Sequence, residues 1–82
     1  MKIHVYDTHV HTTSGEYIHF DVLVNDDNIS HVRKYADEYL ASLDIKLEQI
    51  TQGRCNFCHS EAANPKVQED ILIQGYSIIR LS

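Results

Sequence analysis

Positions 17–24, Tyr-Ile-His-Phe-Asp-Val-Leu-Val, alternate with period two. Ile18, Phe20, Val22 and Val24 fall on one side and Tyr17, His19, Asp21 and Leu23 on the other, which predicts a half-buried strand. Residues 2–12 read as a strand as well, with Ile3, Val5, Tyr6 and Val10 as its β-branched and aromatic positions. Thr12-Thr13-Ser14-Gly15-Glu16 lies between them and predicts a hairpin turn. A type I turn with Gly15 in the left-handed position suits these residues better than a two-residue turn, which prefers Asn-Gly or Asp-Gly.

Loop length decides which side chains share a face. With three loop residues Thr12 faces Glu16, and Asp7, His9 and His11 share a face with His19 and Asp21. With two loop residues the parity inverts and the histidines of the first strand stand beside Ile18 and Phe20. Turn preference favours the first arrangement and leaves the second open.

Asn25-Asp26-Asp27-Asn28 is a turn and cap cluster. After it Ile29, Val32, Ala36, Tyr39, Leu40 and Leu43 recur at helical spacing, predicting an amphipathic helix that ends near Leu43 and turns Arg33, Lys34, Asp37 and Glu38 to solvent. Ile45 to Thr51 reads as a third strand with Ile45 and Leu47 on one face, and Gln52 to Asn64 as a polar loop carrying both cysteines. Asn64-Pro65 predicts a helix start and Gly75 a left-handed stop, giving a helix over 65–74 that buries Val67, Ile71 and Leu72. Tyr76 to Leu81 is the last strand, and its doubled isoleucine suggests an interior place in the sheet. The expected fold class is α+β, order ββαβαβ, with one four-stranded sheet and two helices in a two-layer arrangement. Residues 1–82 are expected to form a single compact domain.

At 82 residues the chain is too small for a large internal cofactor cavity, because a folded domain of this size hides only roughly 60–65% of the surface of its unfolded chain. Seven Lys and Arg against twelve Asp and Glu give a net charge of -5, which disfavours nucleic acid and anionic membrane surfaces as partners. Protonating all six histidines would move that charge from -5 to +1, so solubility should be poorest in mildly acid buffer. The first residues lack the apolar stretch of a secretory signal, and no apolar run approaches the ~20 residues of a membrane span. With two closely spaced cysteines in place of a disulfide framework, a reducing cytoplasm is the expected compartment.

Two groups of residues carry candidate chemistry. In Arg54-Cys55-Asn56-Phe57-Cys58-His59-Ser60-Glu61, thiols two residues apart can reach one tetrahedral ion. Cys55, Cys58 and His59 would then be zinc ligands, and a fourth donor would come from His19 or from His9 or His11. Reduced thiols that merely pack in the fold are the plainer reading. A thiol-redox role needs the first cysteine at a helix start, whereas the helix signal here lies downstream at Asn64-Pro65. Cys-x-x-Cys-His is also a c-type haem pattern, but the apolar residues are already committed to sheet and helices. The second group is Asp7, His9, His11, His19 and Asp21 on the hairpin, an acid/base or metal cluster if the register brings them together, and otherwise a solvated strand face. There is no glycine-rich phosphate loop, no Gly-x-Ser-x-Gly and no His-Glu-x-x-His. Tyr17 and Leu23, if uncovered, would make an apolar patch for a partner or a second copy, so a homodimer through a sheet face or edge is a further expectation.

Four segments together resemble the small bacterial family known as domain of unknown function 2024. They are Val5-Tyr6-Asp7-Thr8, His19-Phe20-Asp21, Cys55-Asn56-Phe57-Cys58-His59-Ser60-Glu61 and Gly75-Tyr76-Ser77-Ile78-Ile79. The resemblance spans nearly the whole chain and implies a compact α/β domain of this length, without implying a substrate, cofactor or catalytic residue. One departure is His9, at a position usually aromatic in that family. The expected function is that of a non-catalytic binding or accessory domain, with a zinc-type metal protein as the alternative and a thiol-redox protein as the third reading.

Overall fold

In the computed structural model, which describes residues 2–45, 49–55 and 64–82, the two alternating segments pair as an antiparallel hairpin. Its strands are β1 (His4–His11) and β2 (Tyr17–Val24). A 3₁₀ segment, Asp26–His31, leads into helix α1 (Val32–Ser42), and β3 (Gln49–Cys55), helix α2 (Pro65–Gln74) and β4 (Tyr76–Arg80) complete the order. The four strands form one antiparallel sheet in the order β3-β1-β2-β4, so the hairpin is its centre. The α+β class, the four-stranded sheet and the two helices are as the sequence predicts.

The helices, however, do not share a face, so the two-layer expectation gives way to a sheet flanked on both sides. On one face Val10, Ile18, Phe20, Val22 and Val24 pack against Tyr35, Ala36 and Leu40 of α1. On the other Val5 and Leu23 pack against Val67 and Ile71 of α2. The cause lies in β2, whose period-two pattern lapses near its end. Leu23 belongs to the polar side of the strand, and leaving it in water would forgo about 1.5–3 kcal/mol, so α2 closes over that end.

The same double coverage explains β4. It is an edge strand rather than an interior one, and its doubled isoleucine serves two cores, with Ile78 joining the first cluster and Ile79 the second. Because α2 covers only the Val5/Leu23 end, it buries a single i,i+4 row. Leu72, about 100° further round the helix, is 75% exposed, contrary to the sequence expectation.

The third strand also begins later than predicted. Asp44 adopts φ 58, and the Ile45 amide donates back to the Leu40 carbonyl. Ile45 therefore closes the helix end and packs on the first core instead of opening a strand. Leu47 lies outside the described residues. Residues 52–55, expected in a loop, pair with β1. Gln52 then ties three elements together, donating from Nε2 to the buried Thr8 hydroxyl (3.1 Å) and to the Val32 carbonyl at the start of α1 (3.2 Å). No helix among the described residues is long and apolar enough to cross a membrane.

Candidate functional site on the hairpin

The turn selects the face. The Thr12 amide donates to the Glu16 carbonyl (3.0 Å), the Gly15 amide donates to the Thr12 carbonyl (3.1 Å), and Gly15 sits at φ 86. Thr12 Oγ1 accepts a further bond from the Glu16 amide (3.0 Å). This is the three-residue loop, and it pairs Asp7 with Asp21, His9 with His19 and His11 with Tyr17. All six are on the face opposite α1. Among the described residues, α2 packs toward the far end of that face, over Val5 and Leu23 with Ile3 and Ile79 beside them, and its Asp70 accepts from the Ser77 hydroxyl of β4.

The side chains there are joined by contacts. The His19 ring donates from Nε2 to Asp7 Oδ1 at 2.9 Å, a diagonal cross-strand pair. The His9 ring lies on the His19 ring, with centroids 4.1 Å apart and planes 13° from parallel. The Tyr17 hydroxyl is hydrogen-bonded to His9 Nδ1, and His11 stands against the Tyr17 ring at 5.2 Å. Exposure rises outward from the buried Asp21 (3%) to Tyr17 (46%), so among the described residues the group forms an open surface rather than a cleft.

Charge follows the contacts. The hydrogen bond from His19 holds the Asp7 carboxyl below its ordinary value, against the smaller opposing effect of burial. A hydrogen bond shared with Asp21 and the neighbouring imidazoles lower it further.

The structure thus gathers Asp7, His9, His11, His19 and Asp21, as the three-residue loop required. One ligand-type atom from each of Asp7, His9 and His19 lies within 4.8 Å of the others. His9 sits at the middle of the group, between Tyr17 and His19. Cys55 closes β3 with its backbone opposite Val5, while Cys58 and His59 lie outside the described residues. The apolar patch expected of Tyr17 and Leu23 does not form. Leu23 is fully buried under α2, and Tyr17 acts through its hydroxyl.

Sequence reasoning also missed a pair outside this face. The ring of His4, 5% exposed, bonds Asp26 Oδ1 at 2.5 Å and ties the start of β1 to the start of the 3₁₀ segment. The available signal was the Asp-rich cap cluster directly after Val24, the strand partner of His4. A surface depression of about 420 Å³ lies under the turn, lined by Thr12, Thr13, Ser14, Glu16, Leu43, Asp44 and Ile45, and contains none of the hairpin cluster.

The profile of a family described as a domain of unknown function, DUF2024, matches residues 1–81. The chain belongs to the DUF2024 family. No curated protein and no solved structure matches it. In this DUF2024 chain, two of the four segments that carry the resemblance supply hairpin-site residues, with Asp7 in the first and His19 and Asp21 in the second.

Proposed function

We propose that this DUF2024 domain is a non-catalytic binding domain of the cytoplasm whose working surface is the imidazole face of the β1–β2 hairpin. The observation that carries this reading is the ordered run of contacts on an open face, from Tyr17 through His9 and His19 to Asp7. Fixed rings on the two central strands of a sheet recognise a ligand at low entropic cost, since little freedom remains to be lost on binding. The Asp7–His19 pair has the form of an oriented base, but general acid/base catalysis also needs a held substrate and a dry site. The open geometry, with Asp7 and His19 side chains 38% and 23% exposed, favours binding over turnover.

The test uses ring signals of the full chain in ¹H–¹³C spectra during titration with three probes: ZnCl₂, inorganic phosphate, and indole as a planar aromatic. At least one should shift His9, His19 and Tyr17 together and saturably, and the double variant His9→Ala/His19→Ala should abolish the response. Saturable shifts confined to other residues, or silence with all three probes, would refute the surface assignment. A substrate turnover lost in His19→Ala would refute its non-catalytic character.

A further inference from the structure

Resting on that reading, we infer that Asp7, His9 and His19 form a mononuclear site for a late first-row divalent cation of the Zn²⁺ type. Two imidazole nitrogens and one carboxylate oxygen make a donor set that such ions prefer over Mg²⁺ or Ca²⁺, which take oxygen ligands. In a tetrahedral shell with bonds of about 2.0–2.2 Å, donor atoms stand roughly 3.3–3.5 Å apart. The three candidate atoms are already within 4.8 Å, so closure asks for side-chain movement on the scale of an ångström and none of the backbone. The backbone is well placed to stay still. Residues 7 and 9 are alternate positions on β1, residue 19 pairs directly with residue 9, and both strands are interior to the sheet.

The geometry also says what must change on loading. Lone pairs of imidazole nitrogens lie in the ring plane, so two rings stacked 13° from parallel cannot aim at one point. One ring has to turn. His19 is held by Asp7, itself a ligand, whereas His9 is held by the Tyr17 hydroxyl, so His9 is the ring that swings and releases Tyr17. The ion takes the place of the proton on His19 Nε2, and the imidazole then carries its N–H on Nδ1. Charge favours a cation here. The neighbouring positions of this face on β3 and β4 are Thr51, Gly53, Ser77 and Ile79, with no Lys or Arg among them. A fourth position faces solvent and suits water.

The experiment is calorimetric titration of the full chain, purified without an affinity tag, with ZnCl₂, and CoCl₂ and NiCl₂ as further probes. It is repeated in a Cys55→Ser/Cys58→Ser variant to remove the thiols from the comparison. One ion per chain is expected, retained in the serine variant. Asp7→Asn, His9→Ala and His19→Ala should each weaken binding about tenfold or more. His31→Ala should bind as the parent does, and the Tyr17 ring signal should shift as His9 leaves it. Undiminished binding in the three hairpin variants, or loss of binding in the serine variant, would overturn the site. So would the absence of saturable binding of any of the three ions at millimolar concentration. In that last case, hairpin shifts with phosphate or indole would leave the binding surface standing, and their absence would remove both.

Discussion

Replacing Gly75 with alanine tests how α2, α1 and the 3₁₀ segment are locked together. Gly75 ends α2 at φ 94, with its amide donating to the Ile71 carbonyl at 2.9 Å. An alanine there meets two separate penalties. The left-handed backbone costs a residue with a Cβ about 1–2 kcal/mol, partly offset by the stiffer unfolded chain, so about 1 kcal/mol remains. The added Cβ would also stand 2.8 Å from the Tyr35 hydroxyl and 3.3 Å from Asn28 Oδ1, between two groups that hydrogen-bond each other at 2.9 Å. Displacing that bond removes roughly another 1 kcal/mol. The expected loss is therefore about 2 kcal/mol, or a Tm lower by roughly 8–16 °C for a domain of this size. Gly15 is the control. It has φ 86 but its added Cβ would meet nothing within 4 Å, so Gly15→Ala should show only the backbone penalty of about 1 kcal/mol. Urea unfolding followed by circular dichroism measures both. In a Tyr35→Phe background the cost of Gly75→Ala should fall to that of Gly15→Ala. Equal costs at Gly75 with and without the Tyr35 hydroxyl would refute the reasoning.

Three further outcomes follow from the described geometry. Asp44 holds φ 58 at the end of α1, so Asp44→Gly should raise the urea midpoint by the equivalent of about 0.5–1 kcal/mol, and a lower midpoint would contradict the left-handed capping role given to it. The Asp70 carboxyl is held below its usual value, chiefly by the bond from the Lys66 ammonium and next by that from the Ser77 hydroxyl. A depressed folded value stabilises the protein above the ordinary aspartate range near about 3.9 and is lost as pH falls through the folded value, so unfolding midpoints should drop between pH 5 and strongly acid buffer, and Asp70→Asn should flatten that part of the profile. Ile71→Ala should cost about 2–5 kcal/mol by chemical denaturation while Leu72→Ala, at a position 75% exposed, stays within about 0.5 kcal/mol; comparable losses at both would mean that α2 is rotated from the described orientation.

What could be read from the sequence was local. The hairpin follows from the alternation at 17–24 and the glycine-bearing turn, and α2 from Asn64-Pro65 and Gly75, each with its own backbone chemistry. The rest depended on partners distant in sequence. Among the described side chains of Gln49-Ile-Thr-Gln-Gly-Arg-Cys, Ile50 is the one apolar contact with the first core, because an edge strand is held largely by ladder hydrogen bonds that any side chain allows. Nothing in residues 65–74 says which face their helix covers, since that choice is made by Leu23 and Val5 on other strands. The hairpin cluster sits between these cases. Its members were visible as residues, but their meeting depended on one loop residue, and the pairing of His9 with Tyr17 required the full register.

That register is enforced by more than turn chemistry, and deleting Ser14 shows why. The deletion leaves two loop residues, and local preference would then shift the pairing by one position. The shift would carry Thr8 and Val10, both fully buried, out from under α1 and bring Asp7 and His9 in against Phe20. Exposing Val10 alone forfeits about 1.5–3 kcal/mol, and burying an imidazole and a carboxyl away from their present partners adds about 1–3 kcal/mol for each group. A strained short turn costs less than that sum, about 1–3 kcal/mol for a residue forced into a poor backbone region. The shortened protein should therefore lose stability yet keep its ring contacts, with His9 and His19 still adjacent in nuclear Overhauser spectra and His9 still open to solvent. A His9 ring that became buried in the shortened chain would show that the turn, and not the two cores, sets the face on which the site is built.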